Sequence, residues 1–176
     1  MSLIMGIDPG LSGAIAVLHV REDQSVGLLF AADMPLTNVA ATRSKKAHKV
    51  LDLPAMADLM RTDMFPVANL AVIEKVGAAP GQGVTSMFSF GYAAGAAAGA
   101  AAAANIPVEF LRPQFWKRIV GVPAGSDKDY TRHMALAMFP DAKALFKLKK
   151  HHGRADAMLI AYAYVCHCAG KKLKVG

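Results

Sequence analysis

The first 34 residues hold three strand-length apolar runs, Leu3 to Ile7, Ala14 to Val20 and Val26 to Met34, with very short connections between them. One connection is Pro9-Gly10-Leu11-Ser12-Gly13 and the other is the polar stretch 21–25. A parallel return would need a crossover of a dozen or more residues, so these runs must fold back as consecutive antiparallel hairpins. The pattern then changes. A helix with Pro54 in its first turn and Ala55, Leu59 and Met60 on its apolar side precedes a continuous apolar strand, Leu70-Ala71-Val72-Ile73-Glu74. A glycine-rich loop, 77–83, leads into a helix of small residues from about Thr85 to Ala104, closed by Asn105 and Pro107, and then into a strand, Val108 to Leu111. The stretch Pro113-Gln114-Phe115-Trp116-Lys117 comes next, followed by helical segments from about Asp127 to Phe139 and from about Arg154 through Cys168. Hairpins first and helical crossovers later predict an α/β fold: a mixed five-stranded sheet flanked by helices, antiparallel in its first half and parallel in its second.

With 176 residues, 54% of them hydrophobic, the chain can build one full core and not two, so 1–176 is expected to be a single domain. Lys and Arg outnumber Asp and Glu by 20 to 13, a net charge of +7 that suits an anionic partner such as nucleic acid and also serves solubility. Part of that charge lies in 37–49, where Arg43, Lys45, Lys46, His48 and Lys49 show no apolar periodicity and read as a mobile surface loop, solvated or touching phosphates. The basic tail 170–176 is expected to fray. Cys166 and Cys168 are two apart in a helical run and point to different sides, which excludes a disulfide framework, and Cys166-His167-Cys168 lacks the second ligand pair of a zinc site. The longest apolar stretch, 93–104, is well short of the roughly 20 residues that span a bilayer. With no basic leader before Leu3, the expected location is the cytoplasm or another reducing, DNA-containing compartment.

Three carboxylates carry the functional reading. Asp8 stops the first strand in Gly6-Ile7-Asp8-Pro9-Gly10, Glu74 ends the buried strand, and Asp156 lies in the first turns of the last helix. Each has an ordinary structural alternative. Asp8 can cap its turn, Glu74 can pair with Lys75, and Asp156 can offset the helix dipole. If the three converge they offer hard oxygen donors of the kind Mg²⁺ or Mn²⁺ prefers. Two such ions about 3.5–4 Å apart activate water on one side of a phosphodiester and stabilise the departing oxygen on the other.

The blocks Gly6-Ile7-Asp8-Pro9-Gly10-Leu11-Ser12-Gly13-Ala14, Val72-Ile73-Glu74-Lys75-Val76 and Gly153-Arg154-Ala155-Asp156-Ala157, in that order across nearly the whole chain, resemble the RuvC-type Holliday junction resolvases, especially their phage-type and organellar members. The resemblance implies a ribonuclease H-like fold with Asp8 on the central strand, Glu74 ending the fourth and Asp156 on the last helix. It implies a homodimer that cuts four-way DNA junctions by divalent-metal-dependent hydrolysis, with Mg²⁺ as the ion, Mn²⁺ as its substitute and two ions per site. Lys117 in Trp116-Lys117-Arg118 and Lys128 in Ser126-Asp127-Lys128 match the family's basic positions near the scissile phosphate. A lysine there binds phosphate or neutralises charge that develops in the transition state. Arg154 in the third block is a further candidate DNA contact.

Two departures from the family pattern stand out. Just upstream of the final Asp the family carries a further acid or histidine, but three residues before Asp156 this chain has Gly153, preceded by His151 and His152. If the helix includes residue 152, His152 shares a face with Asp156 and is the better ligand or general base; His151 serves only if the helix starts later. Both can also be exposed ends of the basic run 147–150. Three residues after Glu74, where well-known bacterial members carry an aromatic wedge, stands Gly77. Phe88 or Phe90 can replace it by stacking on bases, or can be core. Gly91, Gly95 and Gly99 share a helical face that either packs on the sheet or forms a dimer seam. The resulting expectation is a structure-specific endonuclease for four-way junctions. A debranching nuclease of relaxed specificity and a catalytically weak junction binder are the alternatives.

Overall fold

The computed structural model describes residues 2–41, 46–62, 67–75, 77, 81, 83–127 and 129–175. The first strand, β1 (Ser2–Asp8), buries Leu3, Ile4, Met5 and Ile7, as a central strand covered on both faces must. It pairs antiparallel with β2 (Ala14–Val20), which pairs antiparallel with β3 (Val26–Asp33). A separate hairpin follows, β4 (Leu36–Val39) with β5 (His48–Leu51), and then α1 (Leu53–Met60), whose N-terminus is capped by the Asp52 carboxylate accepting from Ala55 N at 3.0 Å. Next come β6 (Leu70–Glu74), α2 (Val84–Ala103) and β7 (Val108–Leu111), and the main sheet runs β3-β2-β1-β6-β7. The pairs β1–β6 and β6–β7 are parallel, so the expected mixed five-stranded sheet is present.

Side chains alternate across the sheet and divide the core into two layers. Met5, Ile7, Ile15 and Ile73 pack with Met56 of α1 and with Ala93 and Ala97 of α2. On the opposite face Ile4, Ala16 and Val72 pack with Trp116 of α3 (Pro113–Val120), with Ala135 of α4 (Tyr130–Met138), with Phe146 of the short α5 (Lys143–Phe146), and with Leu159 of α6 (His152–Ala169). Single 3-10 turns at Pro140–Ala142 and Lys149–His151 flank α5. A Cβ placed on Gly6 would fall on the Ala157 carbonyl, so glycine lets α6 lie with its backbone directly on the central strand.

Two local expectations are corrected, over 37–49 and in the tail, and two open alternatives are narrowed, at the glycines of α2 and at Phe88 and Phe90. Where a loop was expected over 37–49, β4 and β5 pair from Leu36↔Leu51 to Val39↔His48, because buried Leu51 and half-buried Leu36 anchor the hairpin in the core. Lys46, His48 and Lys49 are exposed beside it, while Arg43 and Lys45 lie outside the described residues. The tail is docked as far as Val175: Leu173 is buried, the Tyr162 hydroxyl donates to Leu173 O at 2.8 Å, and Val26 N donates to Lys174 O at 2.9 Å. Gly91, Gly95 and Gly99 do not pack on the sheet; a Cβ on any of them meets nothing within 4 Å, since the buried side of α2 is Ala93, Ala94, Ala97 and Ala101. Phe88 is 75% exposed and lies outside the core, whereas Phe90 is half-buried against Gly10. As expected, Cys166 and Cys168 are unpaired thiols, one buried and one exposed. Among the described residues no helix is long and apolar enough to cross a membrane.

Candidate active site

Parallel pairing of Ile7 with Ile73 brings the carboxyl ends of β1 and β6 level, so Asp8 and Glu74 are neighbours at the same edge of the sheet. Asp8 and Glu74 each lie two residues beyond a residue of the α6-facing layer, Gly6 and Val72, and therefore project toward that layer. Asp156 is supplied from above, one residue before the Ala157 carbonyl that rests on Gly6. The turn after Asp8 holds this arrangement together. Gly10 adopts φ 131°, Gly13 N donates to Gly10 O at 3.2 Å, and Met34 N donates to Gly13 O at 2.9 Å. Gly153 at the head of α6 sits against that turn, where an added Cβ would be 2.5 Å from Ser12 O.

The three acids share one electrostatic field. Burial pushes the Asp8 carboxyl well above the ordinary carboxylate range, and the charges of Asp156 and Glu74 push it further, with Lys117 acting against them. Glu74 is also raised, first by burial, then by Asp156; the Trp116 indole and Lys117 counter the rise. Burial raises Asp156, opposed by the Thr131 hydroxyl, Lys117 and His152. Thr131 Oγ1 stands beside Asp156, yet the contact falls short of full hydrogen-bond geometry: neither Thr131 Oγ1 nor Asp156 Oδ1 has a completed partner among the described residues. Among the described residues no three His, Cys, Asp or Glu side chains are grouped as a metal ion would need them. The site is a cluster of desolvated, mutually repelling carboxylates with one orphaned oxygen. Glu74 makes no ion pair with Lys75, its ordinary alternative, among the described residues.

The cationic candidates separate clearly. Lys117 is exposed, its Nζ lies 5.3 Å over the Trp116 ring, and its charge reaches all three acids. An open cleft of about 600 Å³ adjoins it, lined by Gln114, Arg118, Gly121, Ser126 and Thr131 among others. Lys128 lies outside the described residues. Arg154 differs from the expected free DNA contact: it is paired with Asp33 and donates to Leu145 O at 3.3 Å, and that pairing holds Asp33 below the usual carboxylate range. The helix does begin at His152, which is half-buried one turn before Asp156. His151 is buried, and its Nδ1 accepts from Leu148 N at 3.3 Å, so that nitrogen is already engaged. Trp116, whose indole donates to Glu74 Oε1 at 2.8 Å, and Thr131 escaped the sequence reading. Being the sole tryptophan and next to Lys117 was the only signal for the first; nothing marked the second.

A mixed sheet in the order β3-β2-β1-β6-β7, with helices packed on both faces, is the ribonuclease H-like fold. No family model matches the chain. It is 26% identical over 165 residues to the crossover junction endodeoxyribonuclease RuvC of Rickettsia felis, covering 94% of this chain and 97% of that protein. It is 31% identical over 96 residues, 54% of its length, to the chloroplastic Holliday junction resolvase MOC1 of Chlamydomonas reinhardtii, of which it spans only 11%. RuvC of Thermus thermophilus, solved in complex with a Holliday junction substrate, superposes with a TM-score of 0.60 over 98% of each chain at 17% identity. The relatives of this chain are RuvC-type Holliday junction resolvases.

Proposed function

We propose that the chain is a divalent-metal-dependent endodeoxyribonuclease that resolves four-way DNA junctions as a homodimer, with Asp8, Glu74 and Asp156 as metal ligands. The observation that carries this reading is the convergence of three half-buried carboxylates from β1, β6 and α6 into one field, with Asp156 Oδ1 left without a partner among the described residues. Such a cluster costs folding energy unless a cation compensates it. Hard oxygen donors suit Mg²⁺, with Mn²⁺ as substitute, and two ions per site fit the reading. When bound, the metal lowers the pKa of water and stabilises negative charge on the phosphate.

The remaining chemistry falls to other side chains. Lys117, exposed at the rim of the cleft, attracts the scissile phosphate and offsets charge as it builds. His152, within reach of the Asp156 field, is the group assigned to accept a proton from the attacking water at a ring nitrogen. Lys128 stays in the proposed DNA-binding set on the resemblance alone. Arg154, already paired with Asp33, is left to hold β3 against α6. The exposed face of α2, with Val84, Phe88 and Tyr92 four residues apart, supports a second copy as partner. Two unpaired cysteines fit a reducing, DNA-containing compartment.

The test is cleavage of synthetic four-way junctions in Mg²⁺ or Mn²⁺ against forks, flaps and linear duplex. Preferential, paired nicking of the four-way junction is expected, and Asp8→Asn, Glu74→Gln and Asp156→Asn should each stop cutting while binding persists. Equal cutting of forks and flaps would point to a debranching nuclease. Tight binding with no cutting would leave a junction binder and refute the enzymatic reading.

A further inference from the structure

We infer that Trp116 is a positioning residue for Glu74: its indole N–H holds one carboxylate oxygen, leaving the other free for a divalent cation, and its ring supports Lys117. This rests on the reading of Glu74 as a metal ligand. The indole is fully buried, and a buried N–H must find an acceptor. Here the acceptor is Glu74 Oε1 at 2.8 Å, 42 residues away in sequence. The bond joins the last residue of β6 to α3, and Lys75 N, donating to Leu111 O at 2.7 Å, fixes the same strand end to the last residue of β7, two residues before that helix. An indole N–H only donates, so the contact favours the ionised carboxylate and cannot invert by a flip or a tautomer change. Lys117 Nζ lies 5.3 Å over the same ring, close enough for a cation–π contact. One rigid side chain thus sets a carboxylate on one side and a phosphate-binding cation on the other.

Packing alone would also bury a tryptophan here, and the two roles separate by experiment. The chain has a single tryptophan, so replacing tryptophan globally with the sulfur isostere β-(3-benzothienyl)alanine alters position 116 only and removes the N–H while keeping the ring shape. Mn²⁺ binding, read from the free-ion EPR signal, should weaken about ten-fold in the isostere protein at unchanged melting temperature, as for loss of an outer-shell ligand contact. Trp116→Phe should weaken it at least as much, and Glu74→Gln more. Mn²⁺ affinity equal to wild type in the isostere protein, with Glu74→Gln impaired, overturns the positioning role and leaves the metal site standing. Wild-type protein that binds no Mn²⁺ refutes the metal site and, with it, this inference.

Discussion

Replacing Gly153 by alanine tests how the acidic centre is assembled. Gly153 is the second residue of α6, buried against the β1–β2 turn, and an added Cβ would lie 2.5 Å from Ser12 O and 3.1 Å from the Gly13 carbonyl carbon and Cα, where ordinary contact begins at 3.4 Å. All the crowded atoms are backbone, so no side chain can swing aside. The turn or the helix must move by roughly an ångström, and the turn follows directly on Asp8. Overpacking of this kind costs about 1–3 kcal/mol. Better helix propensity returns at most about 1 kcal/mol, and less in a first turn. The expected net loss of about 1–2 kcal/mol corresponds to a fall in melting temperature of about 2–8 °C for a chain of this size. Displacing Asp8 relative to Asp156 by a comparable distance should slow junction cleavage by up to about a hundred-fold. Gly153→Asp, which places an acid three residues before Asp156, should do worse, since it meets the same obstruction and adds charge to the cluster. Thermal melts and single-turnover cleavage on the same preparations check both variants. An alanine protein that melts at or above wild type and cuts at the wild-type rate would refute the idea that this contact sets the spacing of Asp8 and Asp156.

Two further outcomes follow from the electrostatics. Asp8, Glu74 and Asp156 are all raised in the folded state, so their contribution to stability is complete below the ordinary carboxylate pKa of about 4 and is lost as pH rises through their raised folded values. Relative to Asp8→Asn, cation-free protein should therefore lose melting temperature between pH 5 and pH 8, His19 and His151, both lowered by burial, acting the other way in both proteins; Mg²⁺ should restore stability at pH 8, and an Asp8→Asn slope equal to that of wild type would contradict the assignment. Lys117→Ala should slow cutting and reduce the salt dependence of junction binding by about one ion, measured as the slope of log affinity against log salt; an unchanged slope would remove Lys117 from the phosphate contacts.

The sheet could be read from residues because its signals are local. Two short connections force the β1–β2–β3 hairpins, and the unbroken apolar run 70–73 marks a strand covered on both faces. The β4–β5 hairpin could not be read in this way. Its anchors, Leu36 and Leu51, are separated by a polar, basic stretch with no alternation, and their burial depends on a core built by distant elements. The same reason explains the docked tail, which is held through the Tyr162 hydroxyl and the edge of β3. Phe88 and the glycines of α2 were ambiguous because small residues cover most of that helix, so periodicity could not say which side faces the sheet.

The acids themselves were visible as breaks in pattern, a carboxylate ending each of two apolar runs and another in an otherwise apolar helix. What holds them was not visible, because those relations lie between residues far apart in the chain. Trp116 matters here for the 2.8 Å bond to Glu74, and Gly153 for the side chain it lacks against Ser12. The departure at Gly153 then acquires a physical cause. The space an acidic side chain would need there is occupied by the turn that follows Asp8, so an acid placed at 153 without rebuilding that turn would not join the three carboxylates. In the proposed site that work falls to His152, one position earlier and on the same face of α6 as Asp156.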